Sequence, residues 1–231
     1  MDSIEYKEER KMNFIENPNV INIYHYGSYV YQTFNESSDY DFLIIIKDTY
    51  SPQIQNVIID NLDNPIDVNS LMLDKEYTNC QIKFIKESTW KQMILDNDIE
   101  AIEIFWLDAK YIVKNTKVFE FCVDYDKIRK NVSRTASNSF VKCKKKLEVA
   151  KEYKIGKKSL WHSLRLLMFG NQIMQYGSII NYTQANIYYN DIVCNNNNDW
   201  NYYKKKYQPI YNSLKTQFKI NHELAKAKIH K

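Results

Sequence analysis

Residues 20–46 read VINIYHYGSYVYQTFNESSDYDFLIII, and their pattern decides the fold. Val20 to Tyr26 is β-branched and aromatic and stops at Gly27-Ser28, which predicts a strand followed by a turn. Asn35-Glu36-Ser37-Ser38 is a polar loop cluster. Tyr40 to Ile46 is the continuous apolar run of a strand buried on both faces. Asp39 and Asp41 stand at the entrance of that run, with ten residues between Ser28 and Asp39. Strand residues i and i+2 share a face, so the two carboxylates project side by side. Like charges at that spacing repel and are poor packing for so apolar a strand. A divalent cation resolves the conflict, because Mg²⁺ is held by one or two carboxylates together with substrate phosphates. Gly27 lets the backbone approach closely, and Ser28 with neighbouring amides can hydrogen-bond phosphate oxygens. The chain supplies its own control: Tyr26-Gly27-Ser28 recurs as Tyr176-Gly177-Ser178, but after a helical pattern and with no Asp-x-Asp following. That second copy predicts a helix C-cap.

Outward from this stretch, residues 2–17 read as a short charged helix ended by Asn17-Pro18. Pro65–Leu73 and Cys80–Ile85 are further strand candidates, and Gln53–Leu62 fits either helix or strand. From Lys86 the apolar period lengthens: Trp90, Met93 and Ile94, then Ile99, Ile102, Ile104 and Phe105, predict two helices. Beyond about residue 120 nearly everything reads as helix, with long stretches near 124–154, 158–176 and 200–230. Asn195–Asn198 with Asp199 is a polar loop tip. The expected class is α+β: a small mixed β-sheet domain with flanking helices, followed by an all-helical C-terminal domain.

Charge follows the same division. The chain has 231 residues and a formal net charge of +4, but residues 1–120 hold 11 Lys+Arg against 21 Asp+Glu and residues 121–231 hold 21 against 7. An acidic domain 1–120 and a basic helical domain 121–231 imply different jobs, and the basic one suits a polyanionic partner. The heavy use of Asn and Tyr reads as codon bias. No run of eighteen apolar residues exists, so no transmembrane helix or membrane partner is expected. The acidic N-terminus is unlike a signal peptide. Cys80, Cys122, Cys143 and Cys194 have no CxxC spacing, which argues against a zinc knuckle or disulfide framework and for a reducing, cytoplasmic setting. The sequons at Asn35, Asn131 and Asn181 then carry little meaning.

Residues 26–46 resemble the signature of the DNA polymerase β-like nucleotidyltransferase superfamily: a strand, Gly-Ser, a short helix, then Asp-x-Asp on the next strand. More narrowly the chain resembles the RNA repair pathway DNA polymerase β family of predicted nucleotidyltransferases. The further matches are Ser38-Asp39-Tyr40-Asp41-Phe42, Asp98–Glu103, Ser137–Lys142 and Gly156–Arg165, so the likeness spans roughly residues 20 to 190. The resemblance implies Mg²⁺-dependent transfer of a nucleoside monophosphate from an NTP such as ATP to an acceptor, with release of pyrophosphate. Residues 1–120 would be the catalytic domain and 121–231 the acceptor-binding one. Asp39 and Asp41 would be the metal ligands, with Mn²⁺ as a substitute ion, and Gly27 and Ser28 would contact the triphosphate. Phosphoryl transfer depends on charge neutralisation and alignment more than on a protein nucleophile.

The superfamily carries a third acid on a later strand. Reading Cys80–Phe84 as that strand puts Asn79 in register, and an asparagine cannot act as a base. Asp67, in Ile66-Asp67-Val68-Asn69, is the preferred alternative. Lys158, His162 and Arg165 at i, i+4 and i+7 form one polar stripe on an otherwise apolar helix, and would hold triphosphate or acceptor phosphate. The competing reading is a solvated helix face. Lys142, Lys144, Lys145 and Lys146, with Lys204–Lys206 and interleaved Trp200, Tyr202, Tyr203, Tyr207 and Tyr211, suit RNA through phosphate contacts and base stacking. The expected acceptor is RNA, as a tRNA or a damaged RNA end. The alternatives are a catalytically decayed nucleotide- or RNA-binding module, and nucleotidylation of a protein or small molecule.

Overall fold

The computed structural model describes residues 14–36, 38–54, 57–58, 66–69 and 79–229. The short helix expected over 2–17 lies outside the described residues except for its last four, which form a turn and the approach to Pro18. The chain folds as two compact units. The first comprises the described residues of Met1–Val30, Phe34–Trp90 and Asp108–Val118, and the second Tyr31–Thr33, Lys91–Leu107 and Phe119–Lys231.

The first unit is built on a sheet. Its strands are β1 (Val20–Tyr26), β2 (Tyr40–Ile46), β5 (Ile66–Asn69), β6 (Asn79–Lys86) and β7 (Ile112–Asn115), in the order β5-β6-β2-β1-β7. A separate two-stranded ribbon pairs β3 (Gln53–Ile54) with β4 (Val57–Ile58). β2 pairs antiparallel with β1 and parallel with β6, so the sheet is mixed. Phe42 to Ile46 are all buried, which makes β2 the two-faced central strand that its apolar run predicts. One face packs Phe14, Ile23, Phe42, Ile44, Ile82 and Phe84 into a core, while Tyr24 and Trp90 pack together on the other, ring centroids 6.3 Å apart. The edge strand β7 has no counterpart among the sequence expectations; it is four residues long and too short for periodicity to mark it.

The two helices expected after Lys86 are α1 (Glu87–Leu95) and α2 (Ile99–Phe105). α2 starts where the Asp98 side chain accepts from the Glu100 N–H at 3.0 Å. Three long helices dominate the second unit: α3 (Tyr125–Glu148), α4 (Tyr153–Tyr176) and α6 (Trp200–Ile229), with a single-turn α5 (Tyr189–Ile192) between the last two. α4 is the central helix, buried nearly all round from Gly156 to Met174. It ends at Gly177, whose φ of 77° is the left-handed C-cap predicted for the second Tyr-Gly-Ser. Among the described residues no helix is long and apolar enough to cross a membrane. All four cysteines are free, with Cys80 and Cys143 buried.

Candidate active site

The antiparallel register of β1 and β2 sets Tyr26 opposite Asp41, so the chain turns at Gly27 directly beside that carboxylate. Gly27 has a φ of 69°, and a Cβ built on it would fall 2.0 Å from Asp41 Oδ2. Only glycine serves here, both for the left-handed backbone and for the missing side chain. Asp39 and Asp41 alternate with Tyr40 and Phe42 and therefore face away from the Phe14 core. Asp39 is exposed and Asp41 half-buried. Ser28 is half-buried in the same turn. Residues 27–32 form successive turns rather than the short helix that the signature implies. Gln32 takes a φ of 56° there, outside the helical region.

The strand next to β2 on the other side is β6, the strand expected over Cys80–Ile85. Its parallel register pairs Asp41 with Gln81 and Tyr40 with Cys80. Gln81 Nε2 donates to Asp39 Oδ2 at 3.4 Å. Asn79 opens β6 one step earlier, level with Asp39. Asp67 lies one strand further out, paired with Gln81, so Asp41, Gln81 and Asp67 occupy one cross-strand row. Thus β6 sets the amide of Gln81 beside the two aspartates. The Cys80 thiol beneath is pushed up to about 11, by burial first and by the Asp39 charge second. On β1, burial lowers His25 to about 4. Its ring packs against Phe42 and Tyr29, with centroids 4.5 and 4.8 Å away.

Two carboxylates on one face, one of them open to solvent, fit a Mg²⁺ ion that takes its remaining ligands from water and substrate. Among the described residues no cluster of three or more His, Cys, Asp or Glu side chains could cage a metal by itself.

The remaining candidates belong to the second unit. On α4, Lys158 is exposed, His162 half-buried and Arg165 buried. The polar stripe is therefore mostly internal, because this helix is packed on nearly every side. Arg165 Nη2 donates to Glu103 Oε1 at 3.3 Å and to His162 Nδ1 at 2.9 Å. Burial, then the charges of Arg165 and Lys142, lower His162 to about 3, so the ring is a neutral acceptor at physiological pH. On α3, Lys142, Lys144 and Lys145 are exposed and Lys146 half-buried. Lys146 binds Glu152 at 2.8 Å and Lys144 approaches Glu148 at 3.9 Å. The expected stacking aromatics are mostly core instead: Trp200, Tyr203, Tyr207 and Tyr211 are buried, and of that set only Tyr202 is half-exposed. Their three- and four-residue spacing is the apolar stripe of an amphipathic helix, and Tyr211 packs on Phe140 of α3 at 4.5 Å between centroids.

No curated relative matches the chain. The family model described as polymerase beta, nucleotidyltransferase, matches residues 8–103. That span contains Gly27, Ser28, Asp39 and Asp41 together with β1 to β6, the strands that set those residues side by side. Over residues 8–103 the chain is thus similar to nucleotidyltransferases of the polymerase β kind.

Proposed function

We propose that the protein transfers a nucleoside monophosphate from an NTP to an RNA acceptor, a tRNA or a damaged RNA end, with Asp39 and Asp41 as the metal ligands. The observation that carries this reading is the close approach of Gly27 to Asp41. A strand end with no room for a Cβ, pressed against a carboxylate, suits a turn that brings backbone amides and the Ser28 hydroxyl to a triphosphate beside a metal-binding pair. A bound Mg²⁺ (or Mn²⁺) would neutralise triphosphate charge and align the α-phosphate for attack. The acceptor hydroxyl oxygen bonds to the α-phosphorus, the bond to the β-phosphate oxygen breaks, and pyrophosphate leaves. The hydroxyl proton passes to Asp67, which the row through Gln81 supports as the third acid. The basic helical unit holds RNA phosphates, with Lys142 and Lys145, which make no ion pair among the described residues, contributing more than Lys144 and Lys146. The cytoplasm is the proposed compartment, supported by the four free cysteines. The second reading is a module that binds nucleotide without turnover, favoured by the amides Asn79 and Gln81 on β6.

The test incubates each α-labelled NTP with Mg²⁺ or Mn²⁺ and with total tRNA, a generic RNA, DNA or no acceptor, for wild type and Asp41→Ala. Label on RNA that disappears in the variant supports the proposal and identifies the base. Label on the protein itself redirects the acceptor to a polypeptide. No label beside measurable NTP binding favours the second reading.

A further inference from the structure

Tyr31–Thr33 follows the Gly27-Ser28 turn by two residues, yet it folds with the helical unit and not with the sheet. Several groups hold it there. The Arg165 guanidinium lies over the Tyr31 ring, 3.6 Å from its centroid. The Tyr31 hydroxyl donates to Glu103 Oε2, while Arg165 Nη2 donates to the other oxygen of the same carboxylate. Asn186 Nδ2 donates to the Tyr31 carbonyl at 2.7 Å, and the Tyr189 hydroxyl donates to the Thr33 carbonyl at 3.4 Å. Trp161 flanks the guanidinium at 4.9 Å.

Stability alone is a poor reason for this arrangement. Arg165 is 5% exposed, and its Nε is buried with no partner among the described residues. A buried ion pair gains little over apolar packing of the same volume, and an unsatisfied N–H makes it worse. What the pair supplies is direction, since a planar cation stacked on Tyr31 and bonded through Nη2 to the carboxylate that also takes the Tyr31 hydroxyl allows that tyrosine one position.

We propose that Arg165, acting with Glu103, is a positioning residue that clamps Tyr31 and so restrains the Gly27-Ser28 turn, to which Tyr31 is joined through two residues. Arg165 does not touch the nucleotide; its effect passes along the two intervening residues. The inference rests on the reading of that turn as the triphosphate site, and the experiment separates the two.

Nucleotide affinity is measured with mant-ATP and mant-GTP in the presence of Mg²⁺, and amide hydrogen exchange is followed over peptides covering residues 27–34. The full chain is used as wild type, Ser28→Ala, Arg165→Lys and Tyr31→Phe. Arg165→Lys keeps the charge but loses the planar stack on Tyr31 and the Nη2 contact with Glu103. It is expected to weaken mant-nucleotide binding about tenfold and to speed exchange over 27–34, with α3 and α6 protected as in wild type. Tyr31→Phe, which removes one hydroxyl and keeps the ring, gives the same pattern to a smaller extent if Arg165→Lys does not fold. Wild-type affinity and exchange in the folded Arg165→Lys protein, beside weakened binding in Ser28→Ala, would overturn the clamp and leave the turn standing. If Ser28→Ala binds as wild type, the triphosphate reading fails instead, and exchange over 27–34 alone decides the clamp: faster in Arg165→Lys supports it, unchanged overturns it.

Discussion

Gly27 and Asp41 meet so closely that the constraint is legible at the level of two residues. Replacing Gly27 by alanine places a methyl on Asp41 Oδ2 and holds an L-residue at a φ of 69°. The left-handed backbone alone costs about 1–2 kcal/mol. Gly27→Ala is expected to lose at least that much stability in urea denaturation and to lose transfer activity, and Gly27→Ala/Asp41→Ala to recover part of the stability and none of the activity. Asp39→Ala is expected to abolish transfer while leaving the melting temperature unchanged or raised, because removing one carboxylate relieves repulsion of the other. Wild-type transfer by Asp39→Ala would remove the metal-site assignment. The pairing of Asp39 with Asp41 is readable from strand alternation. The role of Gln81 is not, because which residue of β6 faces them depends on a parallel register between segments forty residues apart.

At the scale of the helix, composition misleads where periodicity does not. The aromatics of α6 read as a stacking surface by type, yet their spacing is that of a buried stripe, and the structure follows the spacing. Tyr203 donates its hydroxyl to the carbonyls of Ile192 and Asn197, at 3.2 and 2.9 Å. Tyr203→Phe is therefore expected to cost about 1 kcal/mol of stability with no change in RNA affinity. For the lysines of α3 the expectation is the reverse. Lys142→Ala/Lys145→Ala should weaken RNA binding and flatten its salt dependence, by about one unit of slope for each phosphate that is no longer neutralised. Lys144→Ala/Lys146→Ala should do less, because those side chains already face Glu148 and Glu152. Filter-binding titrations across a salt series measure both. Equal effects of the two pairs would show that the local ion pairs open freely on binding.

Across the whole molecule, each unit contains one histidine that burial keeps neutral, His25 at about 4 and His162 at about 3. In the unfolded chain both return to about 6.5. Between pH 6.5 and about 4 the unfolded state thus binds more protons than the folded one, and stability falls as pH falls. One proton is taken up on unfolding either unit. If the two units unfold together, the slope is about 2.7 kcal/mol per pH unit; if separately, each transition carries about half. Chemical denaturation at pH 7, 6 and 5 measures this, and His162→Gln is expected to remove the dependence from the helical unit alone. A pH-independent midpoint across that range would show both rings to be more open to water than their packing implies.

Local sequence determined the strand–turn–strand of residues 20–46, the two aspartates on one face, the long helices of the basic half and the Gly177 cap, because alternation, helical period and backbone freedom act over a few residues. The family match over residues 8–103 falls on that same stretch. Only tertiary structure decided that Arg165 and His162 turn inward, that the α6 aromatics are core, and that Tyr31–Thr33 folds with the helices. Those outcomes depend on which faces of α4 and α6 become covered, and on Glu103 meeting Arg165 across sixty-two residues of chain. No local pattern encodes an encounter over that separation.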